Sequence, residues 1–433
     1  MEALRVKQAT SLQGSLTPPP DKSISHRALI LSALAQGEMR AKNLLWGEDC
    51  LRTLRAFQAL GIRIEGVGAR ETTVFGRGGK GFKEPADVID LGNSGTSMRL
   101  LLGVLCGQDF YTVVTGDNSL RSRPMRRVVQ PLIQMGAKIF GRDGGNYAPL
   151  SIVGSSYLEA IQYQLPIASA QVKSALLLAG LLAEGETEIE EPIASRDHTE
   201  RILTYLGVEI KKEGLKVSLC GPLEIEGEKE IVVPGDISSA AFFIVAASLL
   251  PESLLVVERV GTNPTRCGAI TALKEMGAEI EITNEEEICG EPVAQIKVKG
   301  GPLKGVEIDP KSIPAMIDEI PILAVAATMA CGRTHIWGAR ELRVKETDRL
   351  KALTTELSKM GAKIEELPDG LIIEGPSLLV GSEVNSYGDH RIAMALTIAG
   401  LLAKGETIIQ DTECIKTSFP DFEETLKRLT VGS

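Results

Sequence analysis

Six times along the chain a short polar turn, punctuated by glycine or proline, opens a helix-length run that is almost wholly apolar, beginning at Asp21, Gly92, Ala168, Gly235, Ile317 and Gly388. Repetition of this kind decides architecture ahead of any single motif, because a helix that is apolar on every side must be buried on every side. Counting back fourteen positions from Gly37, Gly107, Gly185, Gly332 and Gly405, read as the glycines that end these helices, reaches Ser23, Asn93, Gln171, Asp318 and Arg391. The fourth copy has Glu252 in place of the glycine and reaches Ser238. Packing alone gives a core helix no reason to carry a polar group at one register in every copy, so this register is expected to line something.

After each apolar helix comes a β-rich stretch, such as TEIEEPI, LLVVERV, RTHIWGA and TIIQDTE, and then usually an amphipathic helix that closes on glycine, as in LRAFQALGIRI and LTTELSKMGAKI. Glycine just past a helix accepts the positive φ that stops it. The unit reads as βαβαββ, repeated roughly every 70 to 85 residues. Pro18-Pro19-Pro20 and Val233-Pro234-Gly235 mark crossings between lobes. The expectation is therefore an α/β protein of six such repeats, three per lobe. Residues 18–234 form a lobe inserted into a second lobe made of residues 1–17 and 235–433. If the buried helices run parallel, each lobe gathers their positively polarised N-termini on one face, and two such faces would make a closable cleft for anions.

Composition narrows the function. At 433 residues the chain suffices for two or three domains, and its formal charge of −10 argues against nucleic acid as the main partner. Seven cysteines fall without C-x-x-C or other metal spacing, which predicts reduced, buried thiols rather than zinc or disulfides. The opening MEALRVKQATSLQG has no apolar core, and no run reaches about 18 apolar residues. A cytoplasmic protein with no membrane contact is expected.

Cations gathered in the turns of an acidic protein are informative. Asp21-Lys22-Ser23-Ile24-Ser25-His26-Arg27 puts two cations, an imidazole and two hydroxyls at the start of a greasy helix. Positive charge there opposes the helix dipole, and a bound anion accounts for it better than capping by Asp21 or Ser23 with solvated Lys22 and Arg27. Arg123-Pro124-Met125 follows the turn GDNSLRS, where a guanidinium could grip phosphate or carboxylate in bidentate fashion. Ser195-Arg196-Asp197-His198 and Arg343-Val344-Lys345-Glu346-Thr347-Asp348-Arg349 stand at corresponding second helix starts, and Gly388-Asp389-His390-Arg391 opens the last buried helix. His26, His198 and His390 fall in these turns, while His335 lies in a strand. Asp318-Glu319 is either a cap or a general base, with Lys22 or Glu346 supplying a proton. No P-loop, no dinucleotide fingerprint and no Ser-His-Asp order stands out.

These motifs, DKSISHR, NSGT at 93–96, RPM at 123–125, ASAQ at 168–171, RVKETDR at 343–349, GDHR at 388–391 and SFPDF at 418–422, resemble the 5-enolpyruvylshikimate-3-phosphate synthase family along essentially the whole chain. The resemblance implies the two-lobed enolpyruvyl transferase fold. It also implies transfer of the enolpyruvyl group of phosphoenolpyruvate to the 5-hydroxyl of shikimate 3-phosphate with release of phosphate, by a monomer using neither metal nor organic cofactor. Carried over by motif, Lys22, Ser23, Arg27, Ser169, Ala170, Gln171, Ser195, Arg196, Asp318 and Lys345 would hold shikimate 3-phosphate. Phosphoenolpyruvate would meet Lys22, Asn93, Gly95, Arg123, Gln171, Arg349, His390, Arg391 and Lys416. Asp318 would take the proton from the attacking hydroxyl, and Glu346, with Lys22 nearby, would help protonate the methylene carbon.

Several positions depart from the common pattern. ASAQVKSA and SRDHTE resemble the subgroup that includes glyphosate-tolerant members, yet Gly95 stands where that subgroup often has alanine, and Leu100 where many sensitive relatives have proline. Lys416 lies one residue further from Phe419-Pro420 than the family's lysine. Two rival readings share part of the evidence. One is UDP-N-acetylglucosamine enolpyruvyl transfer, whose family usually has Lys-Asn near the start and a cysteine before Arg-Pro, against Lys22-Ser23 and a cysteine-free GDNSLRSRP here. The other is a catalytically dead sensor of phosphorylated metabolites, which the joint presence of Lys22, Asp318 and Glu346 opposes.

Overall fold

The computed structural model describes residues 3–155 and 157–431. The chain divides into two compact units. The first comprises residues 20–233 with 288–291, and the second comprises the remaining described residues. The crossings fall at Pro19/Pro20 and Val233/Pro234, two residues and one residue from the expected positions. Ile288–Glu291 group with the first unit, contrary to the sequence reading, because His198 holds Glu291 and Arg201 donates to the Gly290 carbonyl.

In the first unit the apolar runs form α1 (Lys22–Leu34), α3 (Gly95–Leu105) and α5 (Ala170–Gly180), and the amphipathic ones form α2 (Glu48–Ala59), α4 (Arg126–Gln134) and α6 (His198–Tyr205). Three sheets repeat one wiring. The strand after each apolar helix, Ala35–Lys42, Tyr111–Thr115 or Gly185–Glu190, pairs antiparallel with Glu71–Arg77, Tyr147–Val153 or Lys216–Gly221. On its other edge it pairs parallel with Ile225–Glu226, Ile89–Asp90 or Gln162–Gln164. The faces of these strands alternate, so Met39 and Val74 point inward while Glu38 and Glu71 face water.

The second unit repeats the scheme with α7 (Ile237–Leu249), α9 (Ile320–Met329) and α11 (His390–Leu402), each apolar, and α8 (Gly268–Glu275), α10 (Arg349–Lys359) and α12 (Phe422–Leu429). Its sheets centre on Leu254–Gly261, Gly332–Ile336 and Glu406–Gln410. The last of these takes Leu4–Lys7 as its antiparallel neighbour, so the first strand of the chain completes the sixth repeat.

Each unit has its own hydrophobic core, and the apolar helices are its axis. Helix α7 is buried along nearly its whole length, with Phe243 packed edge-on against Phe422 at 5.4 Å. Burying one such side chain contributes about 1.5–3 kcal/mol. The amphipathic helices end as expected, with Gly61, Gly136, Gly207, Gly277 and Gly361 all at φ between 83° and 98°. The glycines assigned to the ends of the apolar helices behave differently. Helix α1 stops at Leu34 while Gly37, at φ 106°, already lies in the next strand, and Gly107 is not at positive φ. The expectation of buried thiols holds for Cys50 and Cys106 but not for Cys220 and Cys331, which are exposed. Cys220 sits on the outward face of Lys216–Gly221, where strand alternation overrides the usual preference of the thiol.

Candidate active site

The helix starts of the first unit are tied together by side chains. Asp21 caps α1 by accepting from the Ile24 amide, and Ser94 and Ser169 cap α3 and α5 in the same way. From α1, Arg27 donates through Nε to Thr199 Oγ1 at 2.7 Å and through Nη2 to Ser174 Oγ at 2.7 Å on α5. From α5, Gln171 donates to Thr96 Oγ1 at 2.9 Å on α3 and accepts from Arg99 at 2.6 Å. Further along the same two helices, Gly103 lies so close to α5 that an added Cβ would sit 2.1 Å from the Ala175 carbonyl oxygen. Contacts at both levels mean that α3 and α5 run in the same direction with their N-termini adjacent.

On this rim Lys22 reaches Asp49 at 3.3 Å, and Ser23 accepts from Arg27 through its carbonyl. Arg27 is not solvated. It is buried, and burial lowers its pKa to about 10 even though Glu200 and Asp21 act in the other direction, with the neighbouring Arg196 adding to the drop. It remains a cation near neutral pH. Arg123, also buried, donates to both the side-chain oxygen and the carbonyl of Asn93, and Asn93 in turn donates to Asp117 at 2.7 Å. Gly95 opens α3 beneath these groups. A methyl added there would meet the guanidinium of Arg99 at 2.9 Å and that of Arg123 at 3.3 Å. Ser169 and Ala170 begin α5, and Ser195 and Arg196 lie in the turn before α6, with Ser195 buried and its hydroxyl given to Glu191. His26 belongs to the interior. Its Nδ1 meets Thr53 Oγ1 at 2.7 Å, and burial, followed by the charges of Lys22 and Arg27, lowers its pKa to about 3, so it is neutral. His198 lies 2.7 Å from Glu291.

The second unit gathers a different set. Neither Asp318 nor Glu319 caps α9 through its side chain. Asp318 instead turns Oδ1 toward Lys345 at 3.5 Å and Arg349 at 3.4 Å, and Oδ2 toward Arg391 at 3.7 Å. Arg349, fully buried at the start of α10, also holds Glu346 at 2.7 Å and Asp389 at 2.8 Å. Burial works against its charge, but Asp389, Glu346 and Asp318 outweigh that cost and raise its pKa above the ordinary arginine value. Asp389 caps α11 through the amides of Arg391 and Ile392, and Arg391 donates to the Asp318 carbonyl at 3.1 Å. His390 is buried in the first turn of α11. Lys416 is exposed on the 3-10 turn Thr412–Thr417, which packs on α11. Ser238, the register position of the fourth repeat, is buried, accepting from Arg266 and donating to Glu319.

Asp49, Arg99, Ser174 and Thr199 complete these rims and were given no role from the sequence, while Asp389 was noted only as part of the GDHR turn. Arg99 carries a signal in the sequence, as a guanidinium inside the apolar run MRLLLGVL. The first unit's rim offers guanidinium, ammonium, hydroxyl and amide donors for anionic oxygens, and the second unit's offers guanidinium and ammonium donors with Asp318 and Glu346 as groups able to exchange protons. Among the described residues no cluster of His, Cys, Asp and Glu could hold a metal ion, and no helix is long and apolar enough to cross a membrane.

Comparison with known proteins agrees with this chemistry. A sequence model of the family described as EPSP synthase (3-phosphoshikimate 1-carboxyvinyltransferase) matches residues 6–426. The 3-phosphoshikimate 1-carboxyvinyltransferase of Desulforudis audaxviator (strain MP104C) is 54% identical over 426 residues, which is 98% of this chain and 99% of that protein. Among solved structures, EPSP synthase from Acinetobacter baumannii aligns with a TM-score of 0.88 at 46% identity, covering 99% of this chain and 98% of that one. The enolpyruvyl transferase NikO from Streptomyces tendae aligns at a TM-score of 0.77 over 99% of each chain with 18% identity, which shows a shared fold. With a match that runs almost from end to end and identity above one half, the chain belongs to the EPSP synthase (3-phosphoshikimate 1-carboxyvinyltransferase) family.

Proposed function

We infer that the chain transfers the enolpyruvyl group of phosphoenolpyruvate to the 5-hydroxyl of shikimate 3-phosphate and releases inorganic phosphate. The observation that carries this reading is the Asp318 carboxylate fixed among Lys345, Arg349 and Arg391, with Glu346 on the same arginine. A carboxylate in that setting can take the hydroxyl proton while the cations beside it meet substrate oxygens, so base and anion receptors are positioned before reaction. In bond terms, the 5-oxygen attacks the enol carbon, its proton passes to Asp318, and the methylene carbon gains a proton with help from Glu346. Loss of phosphate from the enol carbon, together with one proton from the new methyl group, then restores the double bond.

In this reading shikimate 3-phosphate is held by Lys22, Ser23, Arg27, Ser169, Ala170, Gln171, Ser195, Arg196, Asp318 and Lys345. Phosphoenolpyruvate is held by Lys22, Asn93, Gly95, Arg123, Gln171, Arg349, His390, Arg391 and Lys416. Lys22 and Gln171 stand in both sets, which makes binding of the second anion depend on the first. Capture of each anion by buried arginines already fixed by hydrogen bonds supports this, because little side-chain entropy remains to be lost. A single chain suffices, and seven thiols without a disulfide suit the cytoplasm.

Steady-state phosphate release measured with phosphoenolpyruvate and either shikimate 3-phosphate or UDP-N-acetylglucosamine tests the assignment. Release is expected only with shikimate 3-phosphate. Release with the nucleotide sugar, or with neither acceptor, contradicts it.

A further inference from the structure

We propose that Lys173, Glu191 and Glu200 form a buried clamp that positions Ser195 for shikimate 3-phosphate. The proposal rests on the reading above that Ser195 binds that substrate.

Lys173 lies on α5, in a helix that beyond Gln171 is otherwise built of small and aliphatic residues, and is 2% exposed. An ammonium group so deeply buried is costly unless it is paired and hydrogen-bonded. Its Nζ meets Glu191 Oε2 at 2.7 Å, Glu200 Oε1 at 2.8 Å and the Ser195 carbonyl oxygen at 3.4 Å. Burial opposes its charge, but Glu200 and Glu191 outweigh burial and raise its pKa, so the group stays an ammonium. One carboxylate would neutralise this lysine, and the second, Glu200, also faces the buried cation of Arg27, so Glu191 carries hydrogen-bonding capacity in excess of what the lysine uses.

What Glu191 does with its remaining hydrogen-bonding capacity accounts for the excess. It accepts from the Ser195 amide at 3.3 Å and, through Oε1, from the Ser195 hydroxyl. The amide, the carbonyl and the side chain of Ser195 are therefore all held by two residues from outside the turn, one on α5 and one directly after the strand Gly185–Glu190. Glu200, in the first turn of α6, fixes the far side of Lys173 and is the foremost electrostatic support for the charge on Arg27. Arg27 in turn is held by Thr199, the residue before Glu200, and by Ser174, the residue after Lys173. The clamp thus sets both the serine and the arginine assigned to one substrate. Neither carboxylate touches substrate in this account, so they are positioning residues. Their effect reaches the ligand through the orientation of the Ser195 hydroxyl.

The test is a double-mutant cycle on the full-length protein, reading the Kd for shikimate 3-phosphate by titration calorimetry and both KM values by phosphate release. Ser195→Ala and Glu191→Gln are each expected to raise that Kd by about tenfold or more, with the KM for phosphoenolpyruvate changed less than about twofold. The double variant is expected to bind no more weakly than Ser195→Ala alone, because Glu191 acts through that hydroxyl. If Ser195→Ala weakens binding and Glu191→Gln does not, or if the two effects multiply, the clamp is refuted while the assignment of Ser195 stands. If Ser195→Ala itself leaves the Kd unchanged, the assignment of Ser195 fails and the clamp with it. Should Glu191→Gln not fold, Lys173→Met combined with Glu191→Gln removes the opposing buried charges together, and a folded protein with unaltered Kd overturns the proposal.

Discussion

Asp318 is placed by charge. Lys345 and Arg349 face one of its oxygens and Arg391 faces the other, so the side chain has a defined orientation without capping its helix. Replacement by asparagine preserves shape and removes the proton acceptor. Asp318→Asn is expected to lower kcat by about 10²–10⁴-fold while the Kd for shikimate 3-phosphate moves only a few-fold, as kinetics and calorimetry together would show. Unchanged turnover would remove Asp318 from the mechanism. His26 makes a second residue-level prediction. Its pKa is about 3 in the folded protein against an ordinary 6.5, so the unfolded chain takes up the proton first and stability falls as pH drops from 6.5 toward 3. Urea midpoints for His26→Gln should fall less steeply than those of the parent between pH 6.5 and about 5, above the range where carboxylates dominate. Parallel profiles would show that the imidazole is not held neutral. The candidate residues were largely legible from sequence because cations at apolar helix starts are conspicuous. Their partners were not. Asp49 beneath Lys22 is an ordinary acidic residue until folding brings distant turns together, and the pairing of Asp389, from the GDHR turn, with Arg349 likewise appears only then.

Among the elements, the alternation of an all-apolar and an amphipathic helix was readable from pattern alone, and so were the glycines that end the amphipathic helices. The ends of the apolar helices were not. Glycine marks the strand entry at Gly37, Gly185, Gly332 and Gly405, while the helix stops earlier without it. The approach of α3 to α5 was equally hidden, because a glycine inside a helix reads from sequence as a weakness. At Gly103 it is the condition for contact, since an added Cβ would lie 2.1 Å from the carbonyl oxygen and 2.9 Å from the Cα of Ala175, both rigid backbone atoms. Gly103→Ala must push the helices apart. It is expected to destabilise the protein by about 1–3 kcal/mol in denaturant titration. It should also raise the KM for phosphoenolpyruvate, because Gln171 would leave Thr96 and Arg99. Wild-type stability in this variant would mean that the helices are not in contact there.

For the whole molecule, repetition explains why six sheets of one wiring divide into two sets of three, each with its own core. It also explains why the first strand is needed by the last repeat, with Leu4 paired to Ile409 and Lys7 to Glu406. The division between units was visible to within two residues from proline punctuation. The return of Ile288–Glu291 to the first unit was not, since nothing in its composition foretells a buried pairing of Glu291 with His198. The central claim is that the buried, hydrogen-bonded arginines Arg123 and Arg391 are each receptors for phosphoenolpyruvate. It is tested most directly by the Kd of phosphoenolpyruvate, at saturating shikimate 3-phosphate, for Arg123→Ala in the first unit and Arg391→Ala in the second. Each variant is expected to bind phosphoenolpyruvate at least about tenfold more weakly than the parent protein. A variant of either arginine that binds it as tightly as the parent would contradict the account.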